Sequence, residues 1–226
     1  MNKLQVMAAE ISGKETALYV SSGTQSNLCA ILAQCWERGA EIFVGDKSHI
    51  ALYEQGNVSQ FGGVLVRSVP NQADGSFDLA YLETLLHGVE DAHFPNARLI
   101  CIEASHNMCG GTVPTLEWLG KCRAFASKHN LRIHLDAARG FNATAYHGIT
   151  IEKLCSFADS VSICTSKGLT RFSCNIRPIL SEKDLVHQSV PYSAQMRQRS
   201  NELIACEKRL AVACDRRASL PLGVSV

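Results

Sequence analysis

Asp159-Ser-Val-Ser-Ile-Cys-Thr-Ser-Lys-Gly168 is the stretch on which the fold turns. Its alternating apolar residues end in two small hydroxyls, a lysine and a glycine, the pattern of a strand that carries an amine to one edge of a sheet. Ligands of open α/β sheets bind at the carboxyl edge of the strands, so Lys167 is placed where chemistry is done. A lysine there can be partly desolvated, and its amine can then form a Schiff base with an aldehyde. Upstream, Leu131-Arg-Ile-His-Leu-Asp136-Ala-Ala-Arg139 brings a carboxylate to the end of a second strand. Alone, Lys167 reads as a solvated edge residue and Asp136 as a helix cap. Together they favour pyridoxal phosphate (PLP), which needs a lysine for its aldehyde and an acid for its pyridinium nitrogen.

Outward from these two strands the chain alternates. Leu4, Met7, Ala8 and Ile11 recur at helical spacing before Gly13, in a helix that starts almost at residue 1, as if something should precede it. Thr16–Val20 reads as a strand, and a helix follows from Leu28 to about Glu37. Further apolar runs lie at 41–44, 64–66, 99–102, 133–135 and 161–164. Helical stretches at about 50–55, 79–86, 116–128 and 141–146 separate most of them. This alternation predicts an α/β domain over 1–169, a mostly parallel sheet with helices on both faces. The texture changes past Leu169. Residues 170–226 hold nine Lys/Arg against five Asp/Glu, whereas 1–169 hold thirteen against sixteen. That basic tail offers one candidate strand, Phe172–Ile176, cut short by Pro178, and one candidate helix around 194–215.

Ser22-Gly23-Thr24 lies between a strand and a helix, where backbone N–H groups and the helix dipole accept a phosphate. It lacks the lysine of a nucleotide-hydrolysing loop, and alone it reads as an ordinary N-cap. His49, just beyond the 41–44 run, can stack on a flat heteroaromatic ring, or simply cap a helix. Tyr53, four residues on, shares its face. Glu103-Ala-Ser-His106-Asn107-Met-Cys-Gly-Gly111 is a polar, flexible loop after another strand. His106 in it reads as a base or hydroxyl-holding group near a substrate, or else as a solvated loop histidine. Arg139, three residues after Asp136, suits a carboxylate or phenolate oxygen, or a surface salt bridge. His134, inside its strand, packs rather than reacts.

At 226 residues, 46% hydrophobic and 19% charged, the chain has the makeup of a soluble globular protein with one large domain. A net charge of +1 argues against nucleic acid or an acidic membrane as partner. No apolar run is long enough to span a bilayer. The first ten residues resemble neither a secretory signal nor a transit peptide, which makes the cytoplasm the expected location. Ten cysteines form no C-x-x-C pair and no Cys/His ligand spacing, so reduced thiols and no metal are expected. No Gly-x-Gly-x-x-Gly follows the first strand, against an NAD-binding dehydrogenase.

Five segments together resemble a known family. They are Ala17-Leu-Tyr-Val-Ser-Ser-Gly-Thr-Gln-Ser-Asn27, Gly45-Asp-Lys-Ser-His-Ile-Ala-Leu-Tyr-Glu54, Leu99-Ile-Cys-Ile-Glu-Ala-Ser-His-Asn107, His134-Leu-Asp-Ala-Ala-Arg-Gly-Phe-Asn-Ala143 and Ser160-Val-Ser-Ile-Cys-Thr-Ser-Lys-Gly-Leu169. In this order they are similar to the low-specificity threonine aldolases, from about residue 2 to 169. The resemblance implies the large domain of the aspartate-aminotransferase-like PLP enzymes. It implies Lys167 as the lysine holding the cofactor aldehyde, Asp136 at the pyridine nitrogen, and Ser22, Gly23 and Thr24 at the phosphate. It also implies His49 stacked on the ring, Arg139 near the substrate carboxylate or a cofactor oxygen, and His106 near the substrate hydroxyl, with Tyr53 beside His49 on the substrate side. The implied reaction is cleavage of threonine-like β-hydroxy-α-amino acids to glycine and an aldehyde, by a homo-oligomer acting on a small-molecule substrate.

The resemblance has gaps. Family members are longer at both ends, and the arginine-bearing N-terminal segment that helps hold the substrate carboxylate has no counterpart here. Ala137 stands where the family commonly has glycine. After the lysine the family continues into an antiparallel strand that lies between the first strand and the rest, whereas this chain has Thr170-Arg-Phe-Ser-Cys-Asn175. No small domain is recognisable. A shortened or degenerate, catalytically inactive homologue is therefore the alternative expectation, with a related PLP lyase eliminating at Cβ as a third.

Overall fold

Strands that are covered on both faces need apolar residues at every position rather than every second one, and the central runs of this chain meet that demand. The computed structural model describes residues 2–87, 91–167 and 210–214. In chain order the elements are α1 (Asn2–Ser12), β1 (Thr16–Val20), α2 (Gly23–Gln34), β2 (Ala40–Gly45), α3 (His49–Leu52), α4 (Asn57–Gly62), β3 (Leu65–Val69) and α5 (Leu79–Thr84). They continue with β4 (Asn96–Glu103), α6 (Leu116–Lys128), β5 (Arg132–Ala137), α7 (Gly140–His147), α8 (Ile151–Cys155), β6 (Ser160–Ile163) and β7 (Leu210–Cys214). Every residue of β2 and β6 is buried.

The seven strands form one sheet in the order β1-β7-β6-β5-β4-β2-β3. The ladders joining β3, β2, β4, β5 and β6 are parallel. Only β7 runs against its neighbours, β1 and β6. Alternation along each strand feeds two cores. Phe43, Ile100, Ile102, Ile133 and Leu135 pack on one face with residues of α5 to α8. Ile42, Val44, Leu99 and Cys101 pack on the other with residues of α2, α3 and α4. Helices therefore cover both faces, as the alternation predicts. Burial pushes the thiols of Cys35, Cys122 and Cys155 up to about 12, so these cysteines act as small hydrophobes. No helix among the described residues is long and apolar enough to cross a membrane.

Several expectations need correction. The helix expected from Leu28 starts at Gly23, because the Ser22 hydroxyl accepts the Gln25 N–H and caps it one turn earlier. The expected 50–55 helix is the single turn of α3, and α4 follows it unforeseen. The candidate helix at 194–215 is wrong over 210–214. There Leu-Ala-Val-Ala-Cys pairs with Thr16–Val20 on one side and Ser160–Ile163 on the other. Two open backbone edges outweigh the helical preference of alanine. The slot between first and sixth strands is thus filled by β7. The candidate strand at 172–176 lies outside the described residues.

β7 makes β1 part of the sheet. Proline at its centre removes a ladder donor and leaves a neighbouring carbonyl bare. We expect Val212→Pro to lower unfolding free energy by about 1–3 kcal/mol per stranded group, measured as a fall in the urea midpoint.

Candidate active site

The carboxyl edge of the sheet gathers five loops because the strand ends lie level. Asp136 of β5 is the register partner of Glu103 of β4 on one side and of Ser162 of β6 on the other. Across β7, Val20 aligns with Leu210 and Ile163 with Ala211. The loops after β1 and β6 therefore leave the sheet side by side. The Ser26 and Ser162 hydroxyls, 2.6 Å apart, fasten the start of α2 over β6. Ser22, Gly23 and Thr24 thus present a capped helix N-terminus at this edge, where the free backbone N–H groups suit an anion.

Beneath that terminus lies a buried polar cluster. The Asn27 amide donates to Glu54 Oε1 at 2.8 Å and to Asp136 Oδ2 at 2.9 Å. Asp136 Oδ1 accepts the Ala138 N–H at 3.0 Å. His49 Nδ1 sits 2.9 Å from Glu54 Oε1, and this bond raises its pKa above the ordinary histidine value. Nearby Asp136 raises it further and Lys167 opposes. Ligand atoms of His49, Glu54 and Asp136 all lie within 4.8 Å of one another. The Asn27 NH₂ group thus bridges the two carboxylates as a shared donor.

Glu103 ties two loops together. One oxygen accepts the His49 N–H at 2.8 Å and the other the Asn107 N–H at 2.9 Å. His106 is not the solvated loop histidine of the bland reading. It is 1% exposed, and among the described residues neither of its ring nitrogens has a hydrogen-bond partner. Burial lowers its pKa, against the pull of Glu103 and Asp136. Its backbone pairs with Thr112 across a tight turn. Gly75, at φ +84°, lies so close that a Cβ there would be 2.6 Å from His106 Cβ.

The structure brings His49, His106, Asp136 and the Ser22-Gly23-Thr24 turn to one edge. Lys167 stands beyond the end of β6, near enough to act on His49, but it is exposed rather than desolvated. Arg139 is the N-cap residue of α7, half-buried. Tyr53 closes α3 with its ring 5.7 Å from that of His49 and its hydroxyl on Met108 Sδ at 3.1 Å. His134 packs, as expected, and burial lowers its pKa to about 4. Three members of the site escaped sequence reasoning: Asn27, Glu54 and Glu103. Glu103 had a visible signal, since it ends an apolar strand as Asp136 does. Asn27 and Glu54 had none, because their meaning lies in partners 109 and 27 residues away.

The family model described as beta-eliminating lyase matches residues 1–190. Over 168 residues the chain is 44% identical to a probable low-specificity L-threonine aldolase 2 of Arabidopsis thaliana, covering 74% of this chain and 47% of that one. It is 38% identical over 169 residues to the low specificity L-threonine aldolase of Escherichia coli (strain K12), covering 75% and 49%. The chain spans about half the length of these curated relatives. A threonine aldolase structure from Leishmania major superposes with a TM-score of 0.63 at 24% identity, over 73% of this chain and 48% of that one. At that identity the likeness speaks for the fold alone. With more than half its length matched, this chain belongs to the beta-eliminating lyase family.

Proposed function

We propose that the chain is a PLP-dependent aldolase that cleaves threonine-like β-hydroxy-α-amino acids to glycine and an aldehyde. One observation carries this reading: two histidines meet at one site in opposite surroundings. His49 lies 2.9 Å from the Glu54 carboxylate, and His106 is buried with neither ring nitrogen paired among the described residues, which favours the charged form of the first and the neutral form of the second. Groups whose environments separate their pKa values divide acid and base work between them. The residues fit the cofactor. A capped helix terminus suits the phosphate, a buried carboxylate the ring nitrogen, an exposed lysine the aldehyde, and the orphaned nitrogens of buried His106 call for a polar partner.

In this proposal Ser22, Gly23 and Thr24 would hold the phosphate and Asp136 the pyridine nitrogen. His49, its charged form favoured by the hydrogen bond to Glu54, would stack on the ring, and Lys167 would hold the aldehyde. Arg139 takes the substrate carboxylate, and Tyr53 borders the substrate. A bare ring nitrogen of His106 removes the β-hydroxyl proton. The Cβ–O bond then becomes a carbonyl as Cα–Cβ breaks, and the aldehyde leaves. When bound, PLP supplies the sink for the electron pair left on Cα. Protonation of Cα completes glycine. Residues 1–169 form the large domain of this reading, with β7 added from the tail at 170–226. A homo-oligomer and an amino-acid substrate belong to it by family likeness, and the cytoplasm is the location that the sequence reading expects.

Three outcomes test it. Purified protein titrated with PLP gains a visible absorbance band that Lys167→Ala loses, and threonine yields acetaldehyde. A colourless, inert protein would instead fit the inactive-homologue alternative. Turnover against pH is bell-shaped: it falls when acid protonates His106 below the ordinary histidine range, and falls again when base discharges His49 above it. A single ionisation near the ordinary value would count against the division of labour. Gly75→Ala pushes into His106 and lowers kcat/KM about 10-fold or more, since small displacements of a catalytic group are costly, while the PLP band remains.

A further inference from the structure

The sequence offered His134 as packing, yet its two ring nitrogens stand inside a directed chain of hydrogen bonds that points at the site. Asn27 can be oriented in only one way. Its amide faces Glu54 and Asp136 on one side and His134 Nε2, 3.1 Å away, on the other. Carboxylates only accept, so the NH₂ group must face them and the carbonyl oxygen must face the imidazole. That oxygen requires a donor, which fixes the single proton of the ring on Nε2, and the Ser162 hydroxyl oxygen, 3.3 Å from the same nitrogen, can share that donor. Nδ1 is then bare and accepts the Ser160 O–H at 2.8 Å. Ser160, having given its proton away, accepts from Gln34 Nε2 at 2.5 Å. Every bond from Gln34 through Ser160, His134 and Asn27 donates in the same direction, ending on the two carboxylates.

We propose that His134 is a positioning residue: its neutral Nε2–H tautomer locks the Asn27 amide so that the NH₂ is delivered to Asp136 and Glu54 together. Asp136 is thereby held between Asn27 and the Ala138 N–H, one on each oxygen. Glu54 is held under His49. If the imidazole were to take a second proton, Nδ1 would compete with Ser160 as a donor and the directed chain would break at that point. Full burial prevents this at neutral pH. The inference rests on the aldolase reading only for the identity of the ring that meets Asp136. The polarity of the chain stands without it.

Nitrogen-15 NMR of the purified chain without added cofactor tests the polarity directly. His134 is expected as the Nε2–H tautomer, neutral from pH 8 down towards about 4. An Nδ1–H tautomer, or a ring that is charged near neutrality, overturns the proposal. A pair of variants tests the consequence. His134→Gln retains an N–H donor of similar reach, whereas His134→Leu fills similar volume without one. PLP is expected to bind the leucine variant about 10-fold more weakly than the glutamine variant, with the amide spectrum unchanged. Equal affinity in the two variants means that His134 only fills space, which overturns the positioning role. If unsubstituted protein binds no PLP at all, the aldolase reading fails, and the tautomer measurement still decides this one.

Discussion

The Asn27 side chain lies between two carboxylates and an imidazole at the level where the parallel strands end, and the rest of the site is arranged around it. Both its donors and its acceptor are engaged. In a water-poor interior such a network is worth having only if complete, because each unpaired member carries its full desolvation cost. Completion around Asn27 draws on β5 for His134 and Asp136, on β6 for Ser160, on α2 for Asn27 itself, and on the segment after α3 for Glu54. A displacement of any of these elements would leave a buried charge or dipole unmatched. The cluster therefore acts as a register pin for the sheet edge as well as a support for chemistry, and fold and site are specified by the same few contacts.

That pin depends on β7. Without a strand between β1 and β6, the helix that carries Asn27 would begin from a strand with no partner on its inner side. The antiparallel ladders on either side of Leu210–Cys214 place β1 two strands from β6. Ser26 then reaches Ser162, and Asn27 reaches one strand further to Asp136. A segment more than forty residues downstream of Lys167 thus helps to set where the Ser22-Gly23-Thr24 turn sits relative to Asp136. Buried Lys14 strengthens the same side by donating to the Ala158 carbonyl at 2.6 Å, joining the turn before β1 to the turn before β6.

Much of this was legible in the sequence because it is local. The apolar runs of β2, β4, β5 and β6 announce buried strands, and residues that end such runs land at one edge by geometry alone. Lys167, Asp136, His49 and the Ser22-Gly23-Thr24 turn were found by that rule. Glu103 obeys it too and was passed over for want of a partner to make sense of it. What stayed hidden is long-range pairing. Leu-Ala-Val-Ala-Cys is equally at home in a helix or a strand, and only two vacant edges elsewhere in the chain decide the matter. Asn27 likewise looks like any polar residue in the first turns of a helix until Glu54, Asp136 and His134 are seen around it.

The three histidines of the edge show why residue type alone carries so little chemistry. His49 keeps a carboxylate at 2.9 Å and some contact with water, so its charged form is favoured. His106 is buried with no partner on either nitrogen among the described residues, so its neutral form is favoured and one nitrogen keeps a bare lone pair. His134 is buried as deeply, but neutral acceptors and donors surround it, so its single proton is assigned by its neighbours rather than exchanged with a ligand. Burial alone does not separate the last two. The difference is that His134 has both nitrogens satisfied by the protein and His106 has neither, and a nitrogen already bonded on both sides has nothing left to offer a substrate. Satisfaction by the fold thus separates His134 from His106, whose two ring nitrogens keep a hydrogen-bonding capacity that the described residues leave unused.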